Sequence, residues 1–118
     1  MTTMDTIQRY FESLQQKNGW QSLLADNVAF TSYTSPVKLV NGRDAYLKAT
    51  ERFYSMISTV ELCDLMVDGE RACARTRYRL QPPNGGPAFG SDVAEIFSVR
   101  DGKIDSLSIY FDSAPFAK

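Results

Sequence analysis

The apolar positions follow a helical period at the start of the chain and a strand period through its second half. Ile7, Tyr10, Phe11 and Leu14 recur at i, i+3, i+4 and i+7, which predicts one buried face of an amphipathic helix. Asp5 with Gln8 three residues later reads as a capping box at its start, and Asn18-Gly19 as its stop. A short second helix follows, turning Trp20, Leu23 and Leu24 inward until Asp26-Asn27 breaks it. Val28–Tyr33 reads as a strand, and Val37–Val40 as a second short one beyond Pro36. Asn41-Gly42 opens a third helix. Asp44 suits its positive end, Asp44 and Lys48 are spaced for an ion pair, and Tyr46, Leu47, Thr50, Phe53, Tyr54 and Ile57 form its inward stripe. From there the period is two. Thr59–Val67, Arg71–Gln81, Ser91–Arg100 and Lys103–Asp112 predict four long strands. They are joined by Asp68-Gly69, by the loop Pro82–Pro87 and by Asp101-Gly102, and both Asp-Gly pairs are hairpin signals.

Helices grouped ahead of an antiparallel meander imply an α+β layer pair in one domain, 1–118. Alternation assigns the faces. Ala72, Ala74, Thr76, Tyr78 and Leu80 turn toward the helices, while Cys73, Arg75, Arg77 and Arg79 turn away. The arginine row is either a basic patch or a solvated or dimer-facing side paired with Glu61 and Asp64 of the neighbouring strand. On the inward face, Glu95 alternates with Val93, Phe97 and Val99. An inward carboxylate is costly unless hydrogen-bonded or protonated, so a raised pKa is expected there. Three roles stay open for it: facing a ligand, holding the core through Tyr10 or Tyr78, or sitting at an exposed pocket rim.

Composition narrows the chemistry. With 118 residues there is material for one core, and 43% hydrophobic against 23% charged residues is a globular balance. A net charge of −1 gives no reason to expect a nucleic-acid partner. The absence of histidine removes Ser-His-Asp and Cys-His nucleophiles and His-ligated metals, so neither a metal nor a cofactor is expected. Cys63 and Cys73 lie on two strands joined by a turn. A two-residue turn puts them on opposite faces and a three-residue loop on one, so free thiols or a disulfide follow from the turn length. No apolar run approaches the roughly 20 residues of a membrane span, and Met1–Asp5 does not open a signal peptide. A cytoplasmic protein without a membrane partner is the expectation. Asn84-Gly85-Gly86 has no Gly-Lys-Ser/Thr after it and is not a phosphate loop; Phe89 and Phe116 either cover a pocket mouth or belong to a mobile hairpin loop.

Four segments resemble the SnoaL-like families of the nuclear transport factor 2-like superfamily. They are Ile7–Phe11, Trp20–Phe30, the helix start Asn41-Gly42-Arg43-Asp44-Ala45, and Glu95–Ile104 closed by Tyr110-Phe111-Asp112. The resemblance covers nearly the whole chain in order. It implies a cone: a curved antiparallel sheet wrapped around three helices, with a pocket at one end, and a homodimer formed through the sheet. It leaves function broad, from isomerases, hydrolases, cyclases and dehydratases to domains that only bind.

Carried over by position, the ketosteroid isomerase pattern puts its oxyanion tyrosine at Tyr10, its protonated acid at Glu95 and its base at Ser32. Ser32 cannot serve as a carboxylate base, so the oxyanion half is present and the base half is missing. Tyr10 also lies on an apolar stripe and is equally readable as core. The epoxide hydrolase pattern matches Arg75, but Arg77 and Ile109 stand where its acids belong, which disfavours that activity. Asp112 reads as a structural hydrogen-bonding group at a strand end. The cyclase pattern of His and Asp fails for want of His. The expected site is an apolar pocket for a lipophilic or ring-bearing small molecule. Trp20, Phe30, Phe53, Tyr54, Tyr78, Phe97, Leu107 and Phe111 would line it, with Tyr10, Glu95 and Ser32 as tentative catalytic groups. The chemistry to expect is cofactor-free isomerase, cyclase or dehydratase turnover through an enolate. The alternative is a non-catalytic binding or dimerisation domain.

Overall fold

The computed structural model describes residues 2–34 and 38–112. Helix α1, Thr3–Gln16, is followed by a 3₁₀ turn, Trp20–Leu23, then strands β1, Leu24–Ser32, and β2, Lys38–Asn41. Helix α2, Arg43–Met56, leads into β3, Ile57–Asp68, β4, Arg71–Leu80, β5, Phe89–Arg100, and β6, Lys103–Phe111. The six strands form one sheet in the order β2-β1-β6-β5-β4-β3. Register breaks in β3, and between β5 and β6 near Ser98, supply the extra local twist that curves it around the helices.

The α+β cone is the fold that the sequence implies, with three differences of detail. The sheet is not wholly antiparallel, because β1 runs parallel to β6. The second helix is a single 3₁₀ turn, so two α-helices rather than three stand inside the sheet. It is short because Gly19 precedes it with a φ of 84° and Leu24 already pairs with Ile104. β1 therefore starts at Leu24 and carries the exposed Asp26 and Asn27 within it instead of beginning at Val28. The third difference is the cap of α1. The capping box is Thr2 with Asp5, not Asp5 with Gln8: the Thr2 hydroxyl accepts from the Asp5 amide at 3.0 Å and the Asp5 carboxylate from the Thr2 amide at 3.2 Å. Val37, the expected first residue of the second strand, lies outside the described residues, as does Phe116.

The two hairpin turns differ in kind. Asp101 and Gly102 both have positive φ, as a type I′ turn requires. Asp68 instead pairs with Arg71, leaving Gly69-Glu70 as a two-residue turn with positive φ at the glycine alone. This is the shorter of the two turns considered for Cys63 and Cys73, and both thiols are free. The inner row of β4 is Ala72, Ala74, Thr76, Tyr78 and Leu80, all buried, and its arginines are exposed on the outer face. Arg77 pairs with Asp92 of β5 at 2.9 Å, not with the acids of β3; both partners are well exposed, so the pair adds little stability.

One glycine ties the N-terminal half together. Gly42 has a φ of 96°, donates its amide to the Val28 carbonyl at 2.8 Å, and sets the direction of α2. The next residue, Arg43, then reaches back to Asp26 at 2.9 Å. The Asn41–Ala45 and Asp26–Val28 segments thus form one joint between β1 and α2.

Candidate functional site

Inside the cone, the apolar layer divides in two. Around α1 the packing is closed. Tyr10 is fully buried, its ring 5.8 Å from Phe97 and 6.4 Å from Trp20, while Phe11 meets Phe97 at 5.9 Å. Around α2 the packing is open. Of that helix only Tyr46 is buried outright; Leu47, Thr50, Phe53 and Tyr54 are half-buried. The space between α2 and the inner faces of β1, β4, β5 and β6 is a cavity of about 180 Å³.

Glu95 is the polar centre of its wall. It is 3% exposed, projects from β5 among Val93, Phe97 and Val99, and lines the cavity. The hydroxyls of Thr76 and Tyr78 donate to its Oε2 at 2.6 and 2.7 Å. Both donors come from β4, where alternation places Thr76 and Tyr78 on the same inner face. Among the described residues Oε1 has no hydrogen-bond partner, so it is the oxygen left for a ligand. Burial pushes the Glu95 carboxyl up to about 7, outweighing the two hydroxyl donors that stabilise its ionised form. At neutral pH the group is therefore divided between acid and carboxylate.

A second polar feature is a chain of tyrosines. The Tyr54 hydroxyl bonds to Tyr10 at 3.1 Å and, at a short distance, to Tyr46. Desolvation raises all three well above 10, reinforced by the charges of one another and of Glu95. They remain neutral hydroxyls at physiological pH. Tyr46 and Tyr54 line the cavity, whereas Tyr10 sits behind them.

The expected site residues are thus sorted by position. Glu95, Ser32, Phe30, Phe53, Tyr54, Tyr78, Leu107 and Phe111 line the cavity. Tyr10, Trp20 and Phe97 do not; they belong to the closed packing around α1. Of the two hydroxyls considered for Glu95, Tyr78 makes the hydrogen bond and, among the described residues, Tyr10 does not; Thr76 adds a second donor. Five further residues complete the wall: Tyr46, Thr50, Ser91, Val93 and Ile109. Strand parity was the signal for three of them, since Ser91 and Val93 share the Glu95 face and Ile109 shares that of Leu107. Phe89 packs against the core and is not among the residues that line the cavity. Arg75 stands exposed on the outer face, away from any inner water site.

At the opposite end of β4 and β5 lies a broader groove of about 900 Å³, between the two hairpin turns and the start of α1. Its wall is mainly polar, and its Lys103 ammonium donates to the Ser22 carbonyl at 2.5 Å. It holds no buried titratable group, which makes the Glu95 cavity the better candidate. Among the described residues no cluster of three or more Cys, Asp or Glu side chains is arranged to hold a metal ion. Nor is any described helix long and apolar enough to cross a membrane.

Comparison with known structures places this architecture. A protein of unknown function with the nuclear transport factor 2-like fold, from Cytophaga hutchinsonii, superposes with a TM-score of 0.78 at 19% identity, covering 100% of this chain and 96% of its own. A candidate SnoaL-like polyketide cyclase from Jannaschia gives 0.79 at 14% identity, with coverage of 97% and 88%. A candidate ketosteroid isomerase from Kribbella flavida gives 0.76 at 19% identity, with coverage of 95% and 78%. At these identities the likeness concerns the fold alone. No curated protein matches the sequence. The profile of the SnoaL-like domain matches residues 7–107, which span both halves of the cone interior. The chain belongs to the SnoaL-like domain family.

Proposed function

We propose that the cavity binds a small molecule of about one ring and that Glu95 exchanges a proton with it. The observation that supports this is the placement of Glu95: buried in an apolar wall that lines the open volume and anchored through Oε2, with no hydrogen bond to Oε1 among the described residues. A cavity near 180 Å³ is below the size of drug-sized pockets, but one of about 150 Å³ already admits benzene. A carboxyl titrating near 7 is matched to acid–base work at neutral pH. The chemistry this favours is cofactor-free keto–enol interconversion: the ionised Glu95 carboxylate takes a proton from carbon beside a carbonyl, leaving an enolate, and returns that proton to the enolate oxygen to give the enol. The neutral hydroxyls of Tyr46 and Tyr54 on the cavity wall suit a developing oxyanion. Tyr10 would act only through Tyr54.

A second reading, binding without turnover, is favoured by the neutral Ser32 at the position where a carboxylate base belongs in the isomerase pattern. Two measurements separate the readings. Phenols of graded acidity are titrated into the wild type and Glu95→Gln. The expected outcome is affinity that rises with acidity and falls about tenfold in the variant, the scale of a hydrogen bond to a charged group. Deuterium uptake from solvent into a small cyclic ketone, followed by NMR, then reports turnover. If phenols bind but wild type and Glu95→Gln exchange deuterium equally, the binding-only reading stands. If no phenol binds, the cavity is not a ligand site.

The outer sheet face supports a homodimer within the same proposal. Tyr33, Leu39, Met66 and Tyr110 are exposed on it, and Tyr33 and Tyr110 stack with centroids 4.9 Å apart. Sedimentation equilibrium is expected to give a dimer that Tyr110→Glu dissociates; a monomeric wild type refutes it.

A further inference from the structure

Ser91 is the buried polar group of the cavity that the acid–base reading leaves unused. It is 4% exposed, lines the cavity, and its Oγ has no hydrogen-bond partner among the described residues. A buried hydroxyl left unpaired costs about 1–3 kcal/mol, so its retention in an otherwise apolar wall needs a reason. The other cavity hydroxyls differ from it. Thr50 donates to the Tyr46 carbonyl at 2.7 Å, Ser32 is only half-buried, and Tyr46, Tyr54 and Tyr78 are all bonded.

Ser91 and Glu95 lie on the same face of β5, about 13 Å apart between Cα atoms at ~3.3 Å per residue. Tyr78 measures the gap between their side chains. Its Cα stands opposite Ser91 in the β4–β5 register, and its hydroxyl reaches Glu95 Oε2 at 2.7 Å. One phenol side chain thus runs from the Ser91 rung to the Glu95 carboxyl along the cavity wall. A ligand ring lying beside it would meet Ser91 Oγ at one end and Glu95 Oε1 at the other.

We infer that the cavity selects a single-ring molecule bearing polar groups at opposite ends, one held by Glu95 Oε1 and the other by Ser91 Oγ. This rests on the proposal that the cavity binds one ring, and adds which ring. Ser91 is then a specificity residue, and the hydrogen bond that its Oγ lacks among the described residues is the one the ligand supplies. A ring with a single polar end leaves Ser91 unsatisfied and binds more weakly.

The test compares p-cresol with hydroquinone, which have nearly the same shape and differ by a methyl in place of one hydroxyl. Both are titrated calorimetrically, under anaerobic conditions, into wild type, Ser91→Ala and Ser91→Cys. The Kd ratio of p-cresol to hydroquinone is expected to fall about fivefold from wild type to Ser91→Ala, the worth of one net hydrogen bond. Ser91→Cys, a near-isostere with a weak donor, is expected to fall in the same direction. Thermal melts accompany each titration; Ser91→Ala loses no hydrogen bond and should melt no lower than wild type. If both phenols bind and the ratio is the same in all three proteins, the Ser91 inference is overturned while ring binding stands. If neither binds wild type, ring binding fails and the inference falls with it.

Discussion

The two helices of the cone do opposite things with the same sheet. α1 buries Thr6, Ile7, Tyr10, Phe11 and Leu14 and leaves its part of the interior filled. α2 buries Tyr46 alone and keeps Phe53, Tyr54 and Thr50 half-covered beside a cavity. The contrast begins in composition: the α1 stripe sets Ile7, Phe11 and Leu14 beside the hydroxyls of Thr6 and Tyr10, while the α2 stripe carries three hydroxyls, those of Tyr46, Thr50 and Tyr54, that must be satisfied. Packing density is thus spent on one side and withheld on the other. A filled half holds the curvature of the sheet, which lets the open half keep its shape without being filled.

The sharpest way to break this comparison is to delete one ring from each half. Phe97→Ala is expected to cost about 3–5 kcal/mol in urea unfolding, as for a fully packed aromatic residue. Phe53→Ala should cost about 1 kcal/mol, because Phe53 is only partly buried and lines a cavity that is already open. Equal losses would mean that the cavity is not an open region in solution.

Next in size is the pH dependence at Glu95. Its folded pKa of about 7 lies above the ordinary carboxyl value of 4.5, so the folded state holds the proton longer than the unfolded chain. The contribution of this group is therefore most favourable below pH 4.5, declines as pH rises, and levels off above 7. The full difference is roughly 3 kcal/mol. Glu95→Gln should be flat through that window and more stable than wild type at pH 8. A wild type whose stability rises from pH 5 to 8 in parallel with Glu95→Gln would show that the carboxyl is not desolvated.

The smallest effect concerns Tyr10. Tyr10→Phe removes one partner of Tyr54 and is expected to cost about 1 kcal/mol of stability. Phenol affinity should change by less than about twofold, since Tyr10 does not reach the cavity. A tenfold loss of affinity would place its hydroxyl at the ligand and restore the oxyanion role that the isomerase pattern assigned to it.

Much of this fold was legible in the sequence because alternation and turn glycines are local signals. Residues 71–80 keep one side in, one side out, residues 59–67 do so on either side of the break between Leu62 and Asp64, and Gly69 and Gly102 mark where the chain reverses. Leu24 was harder to place: Asp26 and Asn27 look like a loop, yet they are the exposed edge of a strand paired elsewhere. The site was half legible. Parity shows that Glu95 points inward, and Ser91 and Val93 share its parity on β5. Facing inward does not say how far along the interior a side chain lies. Tyr10, Trp20 and Phe97 are inward and closed on one another, Tyr10 meeting both other rings edge-on; Phe30, Phe53 and Phe111 are inward and lining space. Depth along the cone depends on the tilt of the helices across the sheet, which no window of sequence contains.

The parallel pairing of β1 with β6 has a consequence for how the molecule assembles. β3, β4, β5 and β6 pair with their neighbours in sequence, so their contacts close short loops. β1 finds only β2 nearby; its other edge waits for residues 104–109, at the far end of the chain. Short loops close at lower entropic cost than long ones. The meander is therefore expected to gain hydrogen-exchange protection first during refolding, with the β1 amides protected last. On a translating ribosome β1 would stay unpaired along that edge until β6 emerged, and the cavity wall that joins β1 to β6 would be the last part of the sheet to close.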